Sequence, residues 1–358
     1  MLWLSQRQAI WIQLLTVLAV VYFGAFMRAS THLDELVREG RLQQALAEYP
    51  AALEAGGGKI DPTLVRGCLQ LRHLNQGNPT SRAPACEGGA NNCKLARQLA
   101  RHYDQSATVT GDSSVPMKFL RGGSGHAVVN LDTTDGRAAP MVLDTGSVAT
   151  ILPSTLRDLA EAELAQTRVS NLGRIVPLTL VRAAPLLFGD TRLGAWVAAI
   201  SGSGFEREGV LGLDVLHALG GFNLSSDDES ARFLRGQCPL NQTTPLSLDK
   251  GAPVAIVLID GKVHRAMIDT GSVRSFVFSP SATSGVIRVR SDFGAASLRA
   301  TERASSILIA GHSRSANLIH VARIDHFYSG TTALIGLDVL LAGGGMGLCV
   351  EPMRFWLD

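Results

Sequence analysis

The sequence predicts a mainly β protein: two β-domains in a pseudo-twofold arrangement, preceded by an N-terminal transmembrane helix and a small helical segment. Three observations predict it. Gly 37 and Pro 14 punctuate short, alternating apolar runs, the pattern of strands and turns rather than of a helical bundle. Two stretches beyond about residue 113 repeat one another in register. The 19 residues Ala9–Met27 carry no charge, and as a helix rising about 1.5 Å per residue they match a hydrocarbon core of about 30 Å. The 358 residues allow two domains, or three with a small one. With 46% hydrophobic and 18% charged residues there is ample material for packed cores. The 33 basic and 31 acidic residues leave a net charge of +2 with no Lys/Arg block, so nothing favours nucleic acid as a partner.

The chain divides into four parts on this reading. Residues 1–30 form a membrane anchor. A cleaved signal peptide is the rival, but the run is long for one and "VYFGAFMRAS" offers no small-x-small cleavage site. Arg7 stands on one side of the run and Arg28, Arg38 and Arg41 on the other, so positive charge does not fix the orientation. Long following domains translocate largely regardless of charge, which places the bulk of the chain outside the cytoplasm, in a periplasmic setting. Residues 31–112 form a helical juxtamembrane segment, with Leu33, Leu36, Leu42 and Ala45 near helical spacing and a stop at Gly56-Gly57-Gly58. It serves as spacer, docking module or propeptide. Residues 113–247 and 248–358 form the two β-domains.

The repeat is specific. "VVNLDTTDGRAAPMVLDTGSVATILP" at 128–153 aligns with "IVLIDGKVHRAMIDTGSVRSFVFSP" at 256–280. In each, an Asp-Gly pair (Asp135-Gly136, Asp260-Gly261) separates two apolar runs as a hairpin turn does. A second Asp follows that Gly by eight residues in both copies. "GVLGLDVL" at 209–216 and "ALIGLDVL" at 333–340 repeat in turn, giving a period of 125 residues from Asp144 to Asp269 and 124 from Gly212 to Gly336.

Asp144-Thr145-Gly146-Ser147 and Asp269-Thr270-Gly271-Ser272, each followed by an apolar-apolar-Gly element, resemble the aspartic proteases of the pepsin and retropepsin clan. The likeness is to a bacterial type with two fused retropepsin-like repeats, and it covers roughly residues 113–358. A single Asp-Thr-Gly is ordinarily a turn; two in matched apolar settings are not explained that way. The resemblance implies two retropepsin-like (acid protease) β-barrels and an aspartic endopeptidase with Asp144 and Asp269 as the catalytic pair. It implies that Thr145 and Thr270 hydrogen-bond across the pseudo-dyad. Gly146 and Gly271 would let the two backbones approach and offer N–H groups to the carboxylates, and Ser147 and Ser272 would bond the outer carboxylate oxygens. Val210-Leu211-Gly212 and Leu334-Ile335-Gly336 would pass behind the catalytic loops as buried strands. Asp214 and Asp338 are expected to cap the helices that follow.

A pair of acids needs water excluded and substrate held. Gly173 lies 29 residues after Asp144 and Gly294 lies 25 after Asp269, each in a polar-x-Gly turn between strand-like runs. Leu172, Gly173, Phe293 and Gly294 are therefore flap and substrate-binding candidates, with an ordinary exposed hairpin as the alternative. A flap tyrosine of the pepsin type is missing from both.

Cys68, Cys86, Cys93, Cys238 and Cys349 form no C-x-x-C pair and have no His at zinc-ligand spacing. Up to two disulfides or buried thiols are both open. No metal and no cofactor is implied. The partners expected are a peptide or protein substrate and the membrane, through residues 9–27, with a monomeric catalytic unit. The rival reading is a catalytically silent, membrane-anchored peptide-binding pseudoprotease or scaffold.

Overall fold

The structure is a computed structural model. It describes Leu36 and, from Ser114 to Asp358, all residues except 120–124, 148, 172–173, 189–190, 194–195, 202–207, 235–237, 240–242, 250–251, 280–284, 292–293, 323–329 and 351–352. The proposed anchor at 9–27 and Cys68, Cys86 and Cys93 lie outside the described residues. Of the helical segment only Leu36 is described; it is helical and buried. Among the described residues no helix is long and apolar enough to cross a membrane.

The described chain is mainly β. Both Asp-Gly pairs make the turns expected of them. Strand Ala127–Thr133 folds back on Ala138–Leu143, with Gly136 at φ +82°. Strand Ala252–Ile259 folds back on Lys262–Ile268 through Asp260 at φ +51° and Gly261 at φ +74°. The second is a two-residue turn with both residues left-handed, which matches the twist of the strands it joins; the first is a longer loop in which only Gly136 is left-handed. The Asp260 carboxylate accepts the N–H of Ser306, from a distant strand, at 2.9 Å.

From these hairpins the two copies follow one connectivity. Strand Gly209–Leu211 runs parallel to Ala138–Leu143, Val210 facing Val142, and antiparallel to Ile151–Leu152. Strand Ala333–Ile335 runs parallel to Lys262–Ile268, Leu334 facing Met267, and antiparallel to Phe276–Phe278. Each of these inserted strands is buried at all three positions, as continuous apolar triplets require. Each is followed by a short helix, α1 (Leu213–Ala218) and α2 (Leu337–Leu340). A long hairpin stands beyond each acid loop: Ala160–Asn171 with Arg174–Ala183, and Val286–Ser291 with Gly294–Ile309.

The copies join where their last strands meet. Gly221–Ser225 pairs antiparallel with Gly345–Val350, Asn223 opposite Gly347. Thr244–Pro245 pairs with Met353–Leu357. Gly347 is required there, because a Cβ would stand 1.8 Å from the Trp356 ring. Cys238 and Cys349 form a disulfide across this region, enclosing a sequence separation of 111 residues. One apolar cluster runs through both copies, including Leu131, Met141, Phe222, Ile268, Leu348 and Phe355, and a second, which includes Met267, Phe276, Ile319 and Leu334, lies within the second copy.

Candidate active site

Each acid sits where an edge of the fold forces the chain to turn. Asp144 follows the buried Leu143, and its N–H donates to the Leu211 carbonyl at 3.1 Å. Asp269 follows the buried Ile268, and its N–H donates to the Ile335 carbonyl at 3.0 Å. The inserted strands therefore end level with the acids and fix where each loop begins.

The threonines bind the two loops together. Thr145 N–H donates to Thr270 Oγ1 at 3.1 Å and Thr270 N–H to Thr145 Oγ1 at 3.0 Å. Each hydroxyl then donates across to the other copy, Thr145 Oγ1 to the Ile268 carbonyl at 2.6 Å and Thr270 Oγ1 to the Leu143 carbonyl at 2.7 Å. Both threonines are wholly buried, so these four bonds exchange with no water and hold the copies in one register.

The glycines bring the acids together. A Cβ on Gly146 would stand 2.7 Å from Asp269 Cγ, and one on Gly271 would stand 2.2 Å from Asp144 Cγ. Each carboxyl thus packs on the opposite copy's glycine, at a distance no side chain would permit. Gly146 N–H donates to Asp144 Oδ1 at 2.7 Å, Ser147 N–H to the same oxygen at 3.1 Å, and Gly271 N–H to Asp269 Oδ1 at 3.0 Å. Asp269 is 9% exposed and Asp144 half-buried.

The serine hydroxyls, expected on the outer carboxylate oxygens, donate to the carbonyls two residues on. Ser147 Oγ bonds Ala149 and Ser272 Oγ bonds Arg274, both at 2.8 Å, closing the turn after each acid.

Asp214 and Asp338 do not cap their helices. The cap positions belong to Gly212 and Gly336, with no side-chain cap bond. A Cβ on either glycine would stand 2.6 Å from loop backbone, at Ala149 and Ser272, so the close approach selects glycine and displaces the acid to the second helical position. From there Asp214 turns back to Thr150, accepting its Oγ1–H at 2.6 Å and its N–H at 3.0 Å. Asp338 accepts Ser275 Oγ–H at 2.5 Å and Ser275 N–H at 3.1 Å. Burial raises the Asp214 carboxyl to about 6 against the hydrogen bonds from Thr150 and Val215 that lower it. Burial also raises Asp338, and Arg274, 3.6 Å from it, opposes this. Thr150 and Ser275 escaped the sequence reading. Their signal was a hydroxyl at the sixth position after each acid, in both copies.

Leu172, Gly173 and Phe293 lie outside the described residues. Gly294 opens its strand opposite Ser291, and strand pairing in the first hairpin closes at Asn171 and Arg174. Among the described residues no group of three or more His, Cys, Asp or Glu is arranged to hold a metal. No protein-family model matches the chain, and no curated protein matches it.

Proposed function

We propose that the chain is a membrane-anchored aspartic endopeptidase whose Asp144 and Asp269 act as one acid/base pair within one molecule. The observation that carries this reading is the crossed packing of each carboxyl on the other copy's glycine, Gly146 on Asp269 and Gly271 on Asp144. Two carboxyls held so closely cannot both be ionised, so they share a proton. The ionised member takes a proton from a water molecule whose oxygen attacks the scissile carbonyl carbon, while the protonated member donates to the carbonyl oxygen. The tetrahedral intermediate then collapses: the carboxyl that took the water proton passes it to the amide nitrogen, the other carboxylate takes a hydroxyl proton back as the C=O reforms, and the C–N bond breaks. The N–H groups of Gly146, Ser147 and Gly271 hold one oxygen of each carboxyl; the buried threonines hold the two loops in register.

On this reading residues 113–247 and 248–358 are retropepsin-like β-barrels related by a pseudo-twofold axis. The two long hairpins act as flaps, with Leu172, Gly173, Phe293 and Gly294 as the substrate-binding candidates, and substrate lies extended between them, pairing backbone groups with strand edges. Residues 9–27 anchor the protein in the membrane. The Cys238–Cys349 disulfide favours an oxidising compartment and so a periplasmic catalytic unit. A cleavage profile of the full chain in detergent against a mixed peptide library, with Asp144→Asn as control, tests the reading. Internal cleavage by the wild type alone is the expected result; no cleavage, or equal cleavage by the variant, overturns it.

A further inference from the structure

We propose that Asp214 and Asp338 are positioning residues for the Asp144/Asp269 pair, each acting through one hydroxyl, Thr150 or Ser275. The inference rests on the functional reading above and assigns a task to two acids that the chemistry itself does not use.

The same chain of atoms stands behind each catalytic loop. In the first copy Gly212 N–H donates to Thr150 Oγ1 at 2.9 Å, and that hydroxyl donates on to Asp214 Oδ1. In the second, Gly336 N–H donates to Ser275 Oγ at 2.9 Å, and that hydroxyl donates on to Asp338 Oδ1. The carboxylate also takes the backbone N–H of the hydroxyl residue, so it grips the end of the acid loop at two points. The loop's middle is held as well: Leu213 N–H donates to the Ser147 carbonyl at 2.9 Å, and Leu337 N–H to the Ser272 carbonyl at 2.8 Å. Between grip and acid the serine turn is closed and the glycine cap packs directly on it. A shift of Thr150 or Ser275 is thereby passed to Asp144 or Asp269 six residues back.

A buried carboxylate is a poor choice for stability alone, since an apolar group of the same shape serves as well or better. What it supplies is direction: two oxygens fixed by donors of known geometry. The two copies differ around this device, Ala149 against Arg274 and Thr150 against Ser275, yet both build it. A pair of carboxyls sharing one proton across a short gap tolerates little misplacement, and this is the element that sets how far each loop stands from the dyad.

The test compares the full-length wild type with Asp214→Asn, Thr150→Val and Thr150→Ser. Two readouts are taken: hydrolysis, and binding of a statine-containing peptide against the same peptide lacking the statine hydroxyl. On the proposed function that hydroxyl binds the acid pair, so the ratio of the two affinities reports the pair's geometry independently of turnover. The expected result for Asp214→Asn and Thr150→Val is a fall in kcat of about ten- to a hundredfold with KM within about twofold. The affinity ratio collapses by a similar factor, and Thr150→Ser, which keeps the hydroxyl, restores most of both. If Asp214→Asn does not fold, Asp338→Asn and Ser275→Ala carry the same test in the second copy. Folded variants with wild-type affinity ratio and kcat, changed only in melting temperature, overturn the positioning role while leaving the proposed function intact. A wild type that neither hydrolyses nor distinguishes the two peptides overturns the proposed function itself, and the positioning role with it.

Discussion

Thr145 and Thr270 each accept the other's backbone N–H, at 3.0 and 3.1 Å, while donating their hydroxyl protons to carbonyls of the opposite copy. The contact is wholly buried, so neither threonine can be replaced by its isostere without stranding polar groups. Thr145→Val leaves the Thr270 N–H and the Ile268 carbonyl without those partners. A loss of about 2–4 kcal/mol is expected from two such groups, read as a lower urea midpoint with unchanged slope. A variant within about 0.5 kcal/mol of wild type contradicts the account of this contact.

Glycine substitutions separate approach from folding. Gly271→Ala puts a methyl 2.2 Å from Asp144 Cγ, and Gly146→Ala puts one 2.7 Å from Asp269 Cγ. Both variants are expected to lose at least about a hundredfold in kcat/KM, because the carboxyls displaced are the ones proposed to react. Gly271→Ala is the more severe. Activity assays alongside thermal melts check this; full activity in either variant contradicts the crossed packing.

Stability should carry a signature of Asp214. Its carboxyl is raised from 3.8 to about 6, so between about pH 4 and pH 6 the folded chain holds a proton that the unfolded chain has released. Stability attributable to this group therefore falls as pH rises through that window, by about 3 kcal/mol for a shift of that size. Denaturation of wild type and Asp214→Asn across pH 4–7 measures it. The difference between the two curves should narrow towards high pH; a constant difference contradicts the assignment.

The Cys238–Cys349 disulfide encloses 111 residues, nearly all of the second copy. Closing so long a loop in the unfolded chain predicts a loss of about 3–5 kcal/mol for Cys238→Ser. Treatment of the wild type with reductant should lower the urea midpoint to match. An unchanged midpoint contradicts a structural role for the bridge.

The local parts of this fold were legible. Asp-Gly between apolar runs forecast both hairpins, because turn chemistry and strand alternation are properties of neighbouring residues. The family resemblance implied buried strands at Val210-Leu211-Gly212 and Leu334-Ile335-Gly336; the strands are Gly209–Leu211 and Ala333–Ile335, each ending one residue before the glycine. The pairing of Gly221–Ser225 with Gly345–Val350 was not legible, since its register depends on the docking of two copies and leaves no local mark. The Cys238–Cys349 bridge is a consequence of that docking and was equally hidden. Asp214 was misread because an acid at a helix start ordinarily caps it. Here the glycine two residues before it is needed for close packing at the cap, and the acid stands at the second helical position, from which it reaches Thr150.

The measurement that tests the central claim most directly is peptide hydrolysis by full-length Asp144→Asn and Asp269→Asn, each alone and in an equimolar mixture. Both acids are supplied by one chain, so each variant should lose at least about a thousandfold in kcat, and the mixture should recover nothing. Activity regained on mixing would mean that Asp144 of one chain works with Asp269 of another. Substantial activity in either variant alone would mean that the two carboxyls do not act as a pair.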